Sequence, residues 1–133
     1  MTGAEPKHRD WIKIWIKESL LGTIREDLTP EERSVWYDFL LLAGNSRYPG
    51  TICANKDTAL PIKRMAGILN TPELLIKRCI KKFESSNRIQ IDERGVIHVL
   101  NWAKYQYSDY DRQKVFRDKA KDDGDNLEGM TVV

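Results

Sequence analysis

The spacing of hydrophobic positions changes character along the chain, and each change marks an element. Val35, Trp36, Phe39, Leu40, Leu42 and Ala43 recur at intervals of three and four, which places them on one wide helical face. A start signal precedes them: in "TPEE", Thr29 stands as N-cap, Pro30 at the first helical position and Glu32 as the reciprocal acid of a capping box. "GNSRYPG" ends this helix with turn formers, and Gly50 to Ala54, "GTICA", reads as a short strand. Ile62, Met65, Ala66 and Leu69 form a second helical stripe opened by Pro61, with Lys63 and Arg64 pointing away from it. That helix stops at "NTP". Thr71 is the expected cap of the next helix, with Pro72 at its first position, and Leu75, Ile76, Cys79, Ile80 and Phe83 line one side through Ser86. Beyond it the period falls to two. Within "NRIQIDERGVIHVLNW", Ile89 and Ile91 alternate with polar residues, "DERG" interrupts, and Ile97 and Val99 resume the alternation, which is a β-hairpin pattern. Arg88, Gln90 and Asp92 fall on its outer side, and Gly95 supplies the positive-φ position of the turn.

The N-terminal stretch is less decisive. In "WIKIWIK", Ile12, Ile14 and Ile16 share one side of a strand period, whereas a helix groups Ile12, Trp15 and Ile16, and periodicity does not choose between them. Trp11 and Trp15 are expected to be largely covered, against the core or a second subunit. "ESLLGTIREDL" follows as a short helix or turn.

An isolated hairpin is marginal in water, so this one needs a scaffold. The order helix, short strand, helix, helix, hairpin provides it: the two middle helices form a helix-turn-helix unit, and the hairpin pairs with the strand at 50–54 to cover the three helices. The expected fold is α+β, mainly α: a winged helix-turn-helix with a short antiparallel sheet. The chain of 133 residues suffices for one such domain, placed at residues 11–115 between a flexible N-terminus (1–10) and a C-terminal tail (116–133). Past about Lys121 the tail is rich in acids, Gly and small residues and is expected to be disordered. No apolar run approaches a membrane span, and the first residues lack a secretory pattern, so a cytoplasmic protein without membrane contact is expected.

Charge adds an asymmetry. Between Pro61 and Gln90 stand seven bases, Lys63, Arg64, Lys77, Arg78, Lys81, Lys82 and Arg88, against Glu73 and Glu84, in a chain whose formal net charge is only +2. One basic face is implied, not a generally basic protein. On a wheel of 100° per residue, the apolar side of the third helix lies opposite a face holding Leu74, Lys77, Arg78 and Lys81. Such a helix fits the DNA major groove, where Lys and Arg reach guanine edges and phosphates. Lys77, Arg78 and Lys81 are the candidates for the groove. Lys63, Arg64, Lys82 and Arg88 suit the backbone, and Arg94 is the single base at the hairpin tip. A solvated helical face shows the same composition, and two features oppose the DNA reading: Asp92 and Glu93 put acid at the tip, and Leu74 stands among the bases as if covered by a partner.

Other chemistry is sparse. Cys53 and Cys79 fit neither a zinc spacing nor a disulfide framework and are expected to be reduced core residues. His8 and His98 are expected to be solvated, and "DDGDN" at 122–126 lacks the spacing of a calcium loop. Trp36 and Trp102 read as core, and Tyr105 and Tyr107 as packing residues of "NWAKYQY", although a base-stacking platform stays open. No nucleophile, base and orienter stand at a recognisable spacing, so a non-enzymatic protein without cofactor or metal is expected.

The segments "LTPEERSVWYDFLLLAGNSRYPGTICAN", "LPIKRMAGILNTPELLIKRCIKKFESSNRIQID" and "VIHVLNWAKYQ" resemble the N-terminal domain of phage replisome organisers, related to bacterial DnaD-type primosome proteins, over roughly residues 11–115. The resemblance implies a winged helix that binds double-stranded DNA at a replication origin, often as a dimer, in a phage-infected or prophage-bearing cell. In such proteins a separate C-terminal region engages the helicase-loading machinery. After Lys121 this chain has no room for one, so a fragment or a single-domain relative is expected. Two rivals stand beside this reading: a protein-interaction or homodimerisation module using Trp11, Trp15 and Leu74, and a transcriptional regulator with the same DNA contacts.

Overall fold

The computed structural model describes residues 10–107. His8, residues 1–9, "DDGDN" and the tail from 116 onward lie outside the described residues. An arm without regular structure, residues 10–15, leads into α1 (Ile16–Leu21) and α2 (Thr23–Asp27). The strand-or-helix question is thus resolved as neither for Trp11 to Trp15, and "ESLLGTIREDL" becomes two short helices. Of the two covers expected for the indoles, the core is not the one used: within the chain Trp11 is 59 % and Trp15 46 % exposed. Segments this short, with no fully buried side chain in either helix, are held by the few contacts they make elsewhere and not by their own hydrogen bonds.

α3 (Pro30–Asn45) starts where its sequence signal places it. Glu32 N donates to Thr29 Oγ1 at 3.2 Å, and Thr29 N donates to Glu32 Oε1 at 2.9 Å, so two otherwise orphaned donors satisfy each other's residues. Its apolar face buries Val35, Trp36, Phe39 and Ala43. β1 (Thr51–Asn55) follows, and a two-residue turn at Lys56–Asp57 returns the chain as β2 (Thr58–Ala59). This second strand is too short to give a periodic signal and was not anticipated.

α4 (Ile62–Leu69) begins directly after Pro61 and buries Met65. It ends at Asn70, whose φ of 52° is left-handed, with Thr71 N donating to Ala66 O at 3.1 Å, a Schellman-type stop. α5 (Glu73–Ser85) then departs from expectation at its cap. Pro72 is the N-cap, in extended backbone, and Thr71 Oγ1 instead donates to the Leu69 carbonyl at 3.0 Å. A residue preceding proline is pushed out of helical geometry, which turns the Thr71 hydroxyl back onto the previous helix. α5 packs against α3 and α4. Phe83 is fully buried and meets Trp36 and Phe39 edge-on, with ring centroids at 5.2 and 5.4 Å.

A second left-handed asparagine, Asn87, ends α5 and starts the hairpin of β3 (Ile89–Ile91) and β4 (Ile97–Val99). Its register pairs Ile89 with Val99, Gln90 with His98 and Ile91 with Ile97. The sheet order is β2-β1-β4-β3, antiparallel throughout, with Thr51 opposite His98 and Ile52 opposite Ile97. The expected hairpin therefore does pair with the expected strand. Ile52, Ile89, Ile97 and Val99 face the helices and are buried. Gly95 has φ 84°, the backbone its turn requires. α6 (Trp102–Gln106) lays Trp102 against the core, and Trp36 is buried as expected. The fold is α+β and mainly α.

Cys79 is a core residue whose thiol is pushed up to about 11, mainly by burial. Cys53 is not core: it is half-buried beside Thr51, on the side of β1 opposite Ile52. Among the described residues no helix is long and apolar enough to cross a membrane.

Candidate nucleic-acid interface

α5 is amphipathic in a way that separates its two roles. Ile76, Cys79 and Phe83 fix it to the core, and this leaves Leu74, Lys77, Arg78 and Lys81 exposed. The side chains of Lys77 and Lys81 make no ion pair or hydrogen bond with another described residue, nor do those of Lys63 and Arg64 on α4. All four side chains are exposed.

The remaining bases are engaged. Lys82 Nζ donates to Glu32 Oε1 at 3.1 Å. Arg78 reaches Glu31 Oε1 at 3.4 Å and Glu32 Oε2 at 4.0 Å. The first turn of α3 thus places two carboxylates against one edge of the basic helix. Glu32 is held below the usual carboxylate range, first by the backbone hydrogen bond at Thr29 and then, against the opposing effect of burial, by Lys82. Neither acid is near α5 in sequence, so no local signal could have paired them with it.

Arg88 is not at the outer edge of the basic face, where the sequence placed it. Its side chain is 10 % exposed, donates to Ser86 Oγ at 2.6 Å and lies 3.9 Å from Asp27 of α2. Its alternation with Gln90 fails because the strand begins only at Ile89, after the left-handed turn at Asn87.

At the hairpin tip Asp92 works inward. Its Oδ1 accepts from Arg94 N at 2.8 Å and Val96 N at 3.0 Å, and its Oδ2 lies 2.9 Å from His98 Nε2. The hydrogen bond with His98 is the main cause holding the Asp92 carboxyl below its ordinary value. His98, expected to be solvated, is 42 % exposed in its side chain and is also the partner that orients this turn. Arg94 lies 3.9 Å from Asp57 in the β1–β2 turn, so the tip's single base faces an acid that was not foreseen. Tyr105 sits under Trp15, edge-on at 6.1 Å, in a packing role.

This α+β domain buries one side of α5 and leaves on the other lysines without an ion pair among the described residues. The family model described as N-terminal phage replisome organiser matches residues 27–125, and the chain belongs to that family. The match begins at Asp27, after the arm and α1, and it associates the domain with phage replication. No curated protein and no solved structure matches the chain.

Proposed function

We propose that this domain is a winged helix that binds double-stranded DNA during phage-type replication initiation in the cytoplasm of a bacterial host, acting by binding and not by catalysis. The observation that carries the reading is the pair Lys77 and Lys81, exposed and without side-chain partners among the described residues on a helix whose opposite side is locked into the core. The width of the major groove admits one helix, and the order of elements around α5 matches the docking arrangement of helix-turn-helix proteins. Lys77 and Lys81 enter the groove, with Arg78 beside them once drawn away from Glu31. Lys63 and Arg64 hold phosphates. Asp57, Asp92 and Glu93 keep the hairpin tip off the backbone. An origin is the target that family membership favours over a promoter, and proteins of the replication machinery are the partners it implies.

Fluorescence anisotropy on a labelled duplex across a salt series tests this. Four neutralised phosphates give a slope of log K on log salt of about −3.6. A K77A/R78A/K81A variant that folds normally yet binds as well as the parent removes the assignment. A second reading rests on the arm and α1: Trp11, Ile14, Ile16, Leu20 and Leu21 are each close to half exposed or more, an apolar surface suited to a homodimer. Concentration-dependent dimers in sedimentation, with no DNA shift even at low salt, favour that reading.

A further inference from the structure

Among the described residues Leu74 is the most exposed of the large hydrophobics, at 79 %, and its place on α5 is not peripheral. At 100° per residue, Lys81 lies about 20° and Lys77 about 60° to one side of it, and Arg78 about 40° to the other. Leu74 is therefore the centre of the basic face, in the first turn of the helix, flanked by cations on both sides. A protein partner covering Leu74 would also have to desolvate Lys77 and Lys81, which meet no carboxylate among the described residues. A polyanion suits all three at once. The first turn also carries Glu73, exposed and acidic, which repels a phosphate there and leaves this turn suited to base edges, while the lysines one and two turns further on meet the backbone or guanine.

Within a major groove, the apolar group available to a leucine is the C5-methyl of thymine. Resting on the DNA-binding reading above, we infer that Leu74 is a specificity residue that reads thymine through its methyl group. The apolar residue at the middle of a cationic surface is then a recognition element, and the preferred site contains a T·A pair under the first turn of α5.

The test uses two proteins and two duplexes. The whole chain and its L74A variant are titrated by anisotropy against an alternating A·T duplex and against the same duplex with every thymine replaced by deoxyuridine, which removes only the methyl groups. Leu74 is 79 % exposed and outside the core, so L74A keeps the fold, as its circular dichroism will confirm. The parent is expected to bind the thymine duplex about fourfold more tightly, the fold-change that corresponds to ~0.8 kcal/mol for one buried methyl-sized group. L74A is expected to bind the two duplexes equally. If the parent binds DNA but shows the same thymine-to-uracil ratio as L74A, the inference falls and the DNA-binding reading stands. If L74A instead lowers the sedimenting mass and leaves that ratio unchanged, Leu74 meets a second copy and the inference falls. If neither duplex binds at low salt, both readings fall together.

Discussion

Lys82 Nζ lies 3.1 Å from the same Glu32 oxygen that accepts the Thr29 backbone N–H at 2.9 Å. One carboxylate oxygen thus closes the cap of α3 and ties α5 to it. The Glu32 side chain is 7 % exposed, so its charge is stabilised by these donors and not by water.

Replacing Glu32 by Gln keeps an oxygen for Thr29 N but removes the charge that faces Lys82 and Arg78. The expected loss is roughly 1–2 kcal/mol at neutral pH, at the low end for a hydrogen bond to a charged group because Lys82, 37 % exposed, regains water. The pH dependence has a defined sign. A carboxyl held below its ordinary value contributes stability that is fully present above the unfolded-state value, near 4.5, and that fades as pH falls through the lower folded-state value. The gap between parent and E32Q in urea denaturation is therefore expected to be wide at pH 7 and to narrow below pH 4. A gap that stays constant across this range would show that the charge of Glu32 does not stabilise the fold.

Glu31 acts on the proposed interface without supporting the fold. It and Arg78 are 71 % and 57 % exposed in their side chains and 3.4 Å apart, a surface pair whose loss changes stability by less than about 0.5 kcal/mol. E31Q leaves Arg78 with only the 4.0 Å approach to Glu32 and deletes a negative charge beside the basic helix. DNA binding is expected to tighten at low salt, with the salt slope steeper by about 0.9 for the one added cation. Unchanged affinity and slope would place Arg78 outside the contact.

What was legible in the sequence was local. Thr29 and Glu32 are three residues apart, so their reciprocal cap could be written from "TPEE" alone. The stripe of Ile76, Cys79 and Phe83 fixed which side of α5 faces outward, and the alternation of Ile89, Ile97 and Val99 fixed which side of the hairpin is buried. What was hidden depends on tertiary approach. Arg78 with Glu31 and Lys82 with Glu32 join helices about fifty positions apart, so bases that looked free carry partners. Arg88 looked outward because the alternation was extended one residue too far, across the turn at Asn87. Thr71 looked like a cap because its type and position fit, and only the constraint from Pro72 turns its hydroxyl the other way. Asp92 was placed on the outer side of the hairpin and His98 in solvent, since nothing in a sequence says that two polar residues on one hairpin face will meet at 2.9 Å.

The arm is the part least legible in sequence, and Gln106 explains why it stays in place. Its side-chain amide pairs with the Lys13 backbone from both ends: Lys13 N donates to Oε1 at 2.7 Å, and Nε2 donates to Lys13 O at 2.9 Å. Gln106 is 5 % exposed, so these bonds are shielded from competing water. Beside them Trp15 Nε1 donates to Tyr105 O at 2.6 Å. Ile12 also runs so close to α3 that a Cβ at Gly44 would lie 2.6 Å from its Cγ2, which makes Gly44 the groove in which the arm rests. Q106A removes both bonds to Lys13 and touches none of the contacts between α3, α5 and the sheet. The expected result is selective: amide hydrogen exchange across residues 11–21 accelerates, exchange in α5 is unchanged, and the cost of about 1–2 kcal/mol appears as local opening and not as global unfolding. G44V, by filling the groove from the other side, is expected to free the same peptide. If Q106A leaves the arm as protected as the parent while G44V releases it, the arm is held by Ile12 packing and not by the amide pair.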